Sequence, residues 1–299
     1  MRLCAMILAA LAGATLNWSD KASSEAVPVT SAEHRLAHIS VVKKGKGAPV
    51  VLIPGLSTPR GVWDDLAPEL AKRHTVYLVQ VNGFAGDDPG ANGKDGMLKA
   101  IVEELHGTLR RDAAAPAAVI GHSLGGLMGM MLASAHPDDV GKLMIVDSLP
   151  FAGAMFDEES TVEAIKPMLP LLKGRMAAGY RGAEGQAAAE ATAKSLTAKP
   201  QSAERVLGWI KAAHPGIAAA AMADALTTDM RPALKSIAAP VTVLHPAPAL
   251  GKDPAATKAF YRRQYAGADA ELVGIPDAGH FIMLDQPDRF AEEVKDFLR

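Results

Sequence analysis

A six-residue run, Gly-His-Ser-Leu-Gly-Gly at positions 121–126, constrains this chain more than any other part of its sequence. It follows an apolar run at 117–120 and precedes a stretch that is compatible with a helix. Glycines two positions before and after Ser123 remove Cβ atoms that would clash in a tight strand-to-helix turn. The pattern G-x-S-x-G in this setting therefore predicts a serine exposed on a strained turn, with helix amides directed at a developing negative charge.

Short apolar runs alternate with amphipathic stretches along most of the chain, which is typical of parallel strands covered by helices. The predicted strands span residues 39–42, 49–53, 75–81, 117–120, 142–146, 241–244 and 270–274. Two long helices are predicted over residues 96–110 and 287–298. The sequence thus predicts an α/β fold with a mostly parallel central sheet.

Residues 149–231 interrupt this alternation. The segment contains no convincing strand pattern, is rich in Ala, Met and Leu, and is divided by prolines into short helical stretches. We therefore predict one domain over residues 32–299, with a helical cap insertion at about 149–231.

With these elements in order, the sequence resembles the α/β-hydrolase family over residues 39–298. The resemblance implies an α/β-hydrolase fold with Ser123 as the nucleophile. It also implies an oxyanion hole formed by the backbone N–H groups of Leu56 and Leu124. Pro54 stands where the family usually carries histidine, a departure that should change local packing without removing the Leu56 donor.

A general base must lie within hydrogen-bond reach of the serine hydroxyl, which is otherwise a poor nucleophile. His280 is the leading candidate, because it lies between the last predicted strand and the closing helix in a segment that resembles the family's Ala-Gly-His segment. His245, at the end of a predicted strand, is the main alternative. His122 is adjacent to the nucleophile and should point away.

The carboxylate that would orient the histidine has two candidates. In most family members it follows the strand predicted at 241–244, where the first carboxylate is Asp253. Asp253 precedes Pro254 and is also explained as a helix N-cap. Asp147 follows the strand at 142–146, where a minority of the family carries the acid. We favour Asp147, and Asp253 remains the alternative.

These residues predict acyl transfer through an acyl-enzyme, with a small-molecule carboxylic ester as the expected substrate. Cleavage of amides, lactones or carbon–carbon bonds is equally compatible with the motif. A catalytically weak binding protein on the same scaffold is the alternative from another class. No cofactor is expected, and no metal-ligand motif is found in the sequence.

Composition limits the partners and the location of the protein. The 31 basic and 33 acidic side chains nearly cancel to a net charge of -2, which argues against nucleic-acid binding. Cys4 is the only cysteine, so no intramolecular disulfide can form.

Residues 1–26 are predicted to be a signal peptide and lead-in. Their apolar run is too short for a stable membrane anchor. If this prediction holds, the protein is exported to the periplasm or secreted. If it does not hold, a cytoplasmic location is expected. The sequence does not predict the oligomeric state.

Overall fold

Eight strands form one sheet in the part of the chain that the computed structural model describes, residues 33–113, 116–249 and 252–299. In chain order they are β1 (Glu33–Arg35), β2 (Ile39–Lys44), β3 (Ala48–Ile53), β4 (His74–Val81), β5 (Ala117–His122), β6 (Val140–Val146), β7 (Val241–Pro246) and β8 (Ala270–Ile275). Their order across the sheet is β1-β2-β4-β3-β5-β6-β7-β8. The pairs β1–β2 and β2–β4 are antiparallel, and all other neighbouring pairs are parallel. The predicted fold class is confirmed.

The central strands coincide with the predicted apolar runs because parallel strands covered on both faces are buried almost throughout. In β3, for example, every residue after Ala48 is buried. The structure adds β1, which was not predicted because its sequence, Glu-His-Arg, is polar and exposed. The predicted signal peptide over residues 1–26 lies outside the described residues.

Helices cover both faces of the sheet. They are α1 (Ala67–Leu70), α2 (Met97–Asp112), α3 (Leu124–Ala135), α4 (Val162–Ile165), α5 (Leu169–Ala178), α6 (Gly182–Ser195), α7 (Pro200–Ala212), α8 (Pro215–Thr227), α9 (Pro254–Gln264), α10 (Ile282–Asp285) and α11 (Pro287–Phe297). Short 3-10 helices span Arg60–Trp63, Pro137–Asp139, Ala152–Met155, Lys166–Met168 and Arg231–Ser236. Within the described ranges, no helix has the combination of length and apolar character that crossing a bilayer requires.

The apolar core is divided by the sheet into two clusters. Helices α2, α3 and α9 contribute to the larger one, and α1, α10 and α11 contribute to the other. Alternate residues of β3 point into different clusters: Val51 and Ile53 into the larger, Val50 and Leu52 into the smaller. The strands are thereby packed on both faces, so the loops at their ends extend from a rigid sheet.

Helices α4 to α8 form the connection between β6 and β7, the 149–231 segment. Pro200 and Pro215 are the first residues of α7 and α8, where the missing proline N–H leaves no helical hydrogen bond unmade. A buried carboxylate, Asp224 on α8, accepts hydrogen bonds from Gly96 N at 2.9 Å and Leu98 N at 3.1 Å. The segment is therefore fastened to the first turn of α2.

Candidate active site

The loops that carry the predicted site residues meet at one edge of the sheet. Leu56 follows β3, Ser123 follows β5, Asp147 follows β6 and His280 follows β8. These strands are parallel, so their carboxyl ends lie at the same edge, where open α/β sheets place their ligand sites. The topology accounts for how residues separated by more than two hundred positions come together.

Ser123 occupies the turn between β5 and α3 in a strained conformation. Its φ of 53° and ψ of -119° lie outside the regions that non-glycine residues ordinarily adopt. The turn is held by a hydrogen bond from Ser123 N to Val146 O at 2.9 Å, and by Gly126 N donating to Ser123 O at 2.8 Å. A strained residue fixed by its surroundings in this way is typical of a functional position.

Two glycines of the motif are required by close backbone contacts. A Cβ on Gly121 would lie 2.2 Å from Gly125 O, and a Cβ on Gly125 would lie 2.2 Å from Ile53 O. Both distances are far below van der Waals contact, so neither position can accept a side chain. The motif thus allows α3 to begin directly against the end of β3.

The loop after β3 lies directly beside Ser123. A Cβ on Gly55 would lie 3.1 Å from Ser123 Cβ, so the backbone next to Leu56 lies close to the serine. Arg60 N donates to the buried side chain of Gln80 at 2.9 Å, which ties this loop to β4. Leu124 is the first residue of α3, so its N–H has no partner within the helix.

Asp147 and His280 are joined by a hydrogen bond. Nδ1 of His280 lies 2.6 Å from Oδ2 of Asp147, and both side chains are largely buried, with 25% and 13% of their surfaces exposed. Asp147 has a positive φ of 43° and its N–H donates to Leu244 O at 2.8 Å. The carboxylate is thus held at the end of β6 and can orient the imidazole.

The other oxygen of Asp147 accepts a hydrogen bond from the hydroxyl of Tyr261, on α9. Burial raises the pKa of Tyr261 well above its ordinary value of 10.0, and the negative charge of Asp147 raises it further. The phenol therefore remains protonated and acts as a donor. Asp147 is held from two sides, with Oδ1 toward Tyr261 and Oδ2 toward His280.

The structure places the alternative residues differently. Asp253 is the N-cap of α9, and its carboxylate accepts from Ala256 N at 2.9 Å. His245 is buried, stacks on Tyr261 with ring centroids 4.5 Å apart, and has Nδ1 2.9 Å from Pro246 O. Neither side chain takes part in the hydrogen bond between Asp147 and His280.

His122 supports His280 through the backbone. Its Nε2 lies 3.0 Å from His280 O, and because a carbonyl only accepts, Nε2 carries the proton of this bond. Burial lowers the pKa of His122 well below its ordinary value of 6.5, and the nearby His280 lowers it further. The neutral ring thus acts as a structural donor behind the loop that carries His280.

A second buried group, Asp285 on α10, fixes the same loop. Its carboxylate is fully buried and accepts from Gly279 N and Ala198 N, each at 2.8 Å, and from Lys199 N at 3.2 Å. Gly279 precedes His280, whereas Ala198 and Lys199 lie between α6 and α7. Asp285 therefore joins the loop of His280 to the 149–231 segment.

Sequence reasoning did not find Tyr261 or Asp285 as members of the site. Tyr261 lies 114 residues from Asp147 and Asp285 lies 87 residues from Ala198, so no local pattern reveals either contact.

In the part of the chain that the structure describes, Ser123 Oγ and His280 do not form a hydrogen bond. In enzymes without substrate this bond is often long and shortens when substrate binds.

Comparisons with known proteins agree with the fold. The model of a family described as the alpha/beta hydrolase family matches residues 50–293. A pimeloyl-[acyl-carrier protein] methyl ester esterase of Nitrosomonas europaea is 26% identical over 274 residues, which cover 85% of this chain and 97% of the relative. A 2-(acetamidomethylene)succinate hydrolase of Mesorhizobium japonicum is 23% identical and covers 87% of this chain and 91% of its own length.

Among solved structures, a thermophilic esterase from Thermogutta terrifontis has a TM-score of 0.71 at 23% sequence identity. The alignment covers 89% of this chain and 98% of that structure, so the two proteins share the same fold over nearly their whole length. The family match spans most of the described domain and includes the strand ends where the predicted site residues lie. This chain is therefore a hydrolase of the alpha/beta hydrolase family, as the sequence predicts.

Proposed function

We propose that the protein is a carboxylic ester hydrolase that works through an acyl-enzyme on Ser123. His280 is the general base and Asp147 is the acid that orients it. The observation that carries this proposal is the 2.6 Å contact between His280 Nδ1 and Asp147 Oδ2, at the same edge of the sheet as the strained serine. Relatives that are named esterases support the choice of an ester.

In the first step Ser123 Oγ attacks the ester carbonyl and its proton passes to Nε2 of His280. The imidazolium that forms is stabilised by Asp147, to which Nδ1–H donates. Collapse of the tetrahedral intermediate breaks the bond to the alcohol, which takes the proton from His280. A water molecule then attacks the acyl-enzyme with His280 as the base, which releases the acid and restores Ser123.

The negative oxygen of each tetrahedral intermediate would be held by the backbone N–H groups of Leu56 and Leu124. The support for this assignment is their position: Leu56 follows Gly55, which lies beside Ser123, and Leu124 begins α3. The positive end of the helix macrodipole adds to the stabilisation.

The 149–231 segment is proposed to act as a cap that shapes the substrate pocket. Two contacts beside the carboxyl edge of β4 support this role: His214 N donates to Gly83 O at 2.8 Å, and Ile217 packs on Gly83. The relatives include a methyl ester esterase and a hydrolase of a substituted succinate. A small acyl ester with a short alcohol portion is the substrate class we would examine first.

The first test is reaction of the purified protein with a fluorophosphonate, followed by peptide mapping. We expect a single adduct on Ser123 and none in a Ser123→Ala variant. Turnover of a panel of p-nitrophenyl esters, amides and lactones then separates ester hydrolysis from the other acyl chemistries. Absence of both the adduct and any turnover would favour the binding protein considered from the sequence.

The acid is tested by two matched substitutions. Asp147→Asn should lower kcat by about 10⁴-fold, as removal of the triad acid does in serine proteases. Asp253→Asn should leave kcat near the parent value, because Asn caps helices as well as Asp does. If Asp253→Asn loses activity and Asp147→Asn does not, the assignment is wrong.

Export is proposed from the apolar run near the N-terminus, Leu3 to Leu16. N-terminal sequencing of the protein from its native host should find a mature chain that begins within or soon after residues 19–31. Recovery of a chain that still begins at Met1 would contradict export through a cleaved signal peptide.

A further inference from the structure

Four potential metal ligands lie together between α2 and the turn that follows α3. His106 and Glu103 are on α2, His136 follows α3, and Asp139 is in the 3-10 helix before β6. The ligand atoms of His106, His136 and Asp139 all lie within 4.8 Å of one another. Among the residues that the structure describes, this is the one place where three such side chains meet so closely.

The two imidazoles are arranged face to face. Their ring centroids are 3.7 Å apart and their planes differ by only 9°. Each ring also contacts a carboxylate: His106 Nδ1 lies 2.6 Å from Asp139 Oδ2, and His136 Nε2 lies 3.2 Å from Glu103 Oε1. Imidazole nitrogens and carboxylate oxygens therefore lie together in one place, as the ligands of a metal ion do.

Burial distinguishes this cluster from an ordinary surface ion pair. The Asp139 side chain is only 3% exposed, whereas His106 and His136 are 33% and 20% exposed. A buried carboxylate needs hydrogen-bond donors or a cation, and the partly exposed imidazoles leave a route from solvent. The site therefore has a fixed oxygen ligand on the inside and two adjustable nitrogen ligands on the outside.

We propose that His106, His136 and Asp139 bind one divalent transition-metal ion of the Zn²⁺ class, with Glu103 as a further carboxylate beside it. Two neutral imidazole nitrogens and a carboxylate oxygen are a donor set that Zn²⁺ accepts. Bonds of about 2.0–2.1 Å require the ligand atoms to close in and one imidazole to turn. The ion would take the place of the direct hydrogen bond between His106 Nδ1 and Asp139 Oδ2.

The position of the cluster makes this a stabilising site, not a catalytic one. Ser123 lies at the start of α3 and His136 at its end, so the helix of 12 residues separates them by about 18 Å. A bound ion would join the end of α3 to α2 and to the start of β6. Its effect should therefore appear in thermal stability and not in the chemistry at Ser123.

The experiment uses the full chain, treated with EDTA, dialysed against ZnCl₂ and analysed for metal content. We expect one Zn²⁺ per chain, a Tm that rises with the logarithm of Zn²⁺ concentration, and a visible Co²⁺ spectrum typical of a four-coordinate site. A His106→Gln/His136→Gln double variant should lose all three signals. The matched control, His34→Gln/His74→Gln, removes two histidines outside the cluster and should keep them.

A single His136→Gln variant guards against misfolding of the double variant, because His136 lies outside the helix proper and is partly exposed. It should weaken Zn²⁺ binding at least tenfold while its circular dichroism spectrum stays that of the parent. Parent protein with no bound Zn²⁺ after dialysis, or a folded His136→Gln variant that binds as tightly as the parent, would overturn the proposal. Esterase activity should be the same with and without EDTA, so this test is independent of the proposed function.

Discussion

Replacing Asp285 with Asn tests whether a buried carboxylate holds the loop that carries His280. Asp285 accepts from Gly279 N, Ala198 N and Lys199 N, with the first two donors on Oδ2. Asn has nearly the same shape but keeps a single acceptor oxygen. With that oxygen at the Oδ2 position, two hydrogen bonds remain and the new NH₂ group faces the N–H of Lys199.

The expected cost is one hydrogen bond to a charged acceptor, about 1.5–3 kcal/mol of the free energy of unfolding. Urea denaturation of the parent and of Asp285→Asn measures this difference directly. Asp288→Asn is the matched control, because Asp288 is exposed on α11 and its loss should change stability by less than about 0.5 kcal/mol.

The substitution should also slow catalysis, since Gly279 precedes His280. We expect a lower kcat and a slower reaction of Ser123 with the fluorophosphonate, while KM changes little. The reasoning is refuted if Asp285→Asn is as stable as Asp288→Asn. It is equally refuted if the reaction rate of Ser123 is unchanged in a variant that is measurably destabilised.

Three further predictions follow from the structure. Tyr261→Phe removes a donor to Asp147 and should destabilise the protein by about 1.5–3 kcal/mol in urea denaturation, with a smaller loss of kcat than Asp147→Asn. His122 has a lowered pKa in the folded state, so below its unfolded value of about 6.5 the unfolded chain binds a proton that the folded chain does not. Stability measured by urea midpoints should therefore fall as the pH drops below 6.5, and less steeply in His122→Gln. Gly125→Ala should abolish folding or activity, because its Cβ would lie 2.2 Å from the backbone oxygen of Ile53. A Cβ on Gly107 would meet no atom within 4 Å, so Gly107→Ala should stabilise α2 by up to about 1 kcal/mol.

Each of these has an outcome that would contradict it. A Tyr261→Phe variant with unchanged stability would mean that its hydroxyl does not support the carboxylate. Urea midpoints that do not change between pH 7.5 and 5 would contradict the buried, neutral state of His122. A soluble, active Gly125→Ala variant would show that the contact between α3 and β3 is looser than the structure indicates.

The strands of the parallel sheet could be predicted because their burial on both faces leaves long apolar runs in the sequence. The strands β5 and β7 extend beyond their predicted ends, since His122 and Pro246 end strands without being typical strand residues. β1 could not be predicted, because it is short and exposed, and its backbone pairing with β2 is open to any sequence.

The positions of Ser123 and His280 could be predicted from local patterns, because each lies in a short segment whose residues are constrained together. The sequence favours Asp147 over Asp253 only because Asp253 is also explained as a helix N-cap, and no local pattern links either carboxylate to His280. Both follow strands whose carboxyl ends lie at the same edge of the sheet, and which carboxylate reaches the imidazole depends on the path of each loop in space. The role of Tyr261 depends on the same long-range packing.

The hydrogen bonds of Asp224 make the 149–231 segment part of the folding unit. Gly96, the N-cap of α2, has no side chain to cap the helix, and the carboxylate that does so comes from a residue 128 positions later in the chain. Deleting the segment, or exchanging it for that of a relative, would leave the first turn of α2 with unpaired N–H groups. Any transplanted segment therefore has to bring a hydrogen-bond acceptor to this point, such as the carboxylate of Asp224.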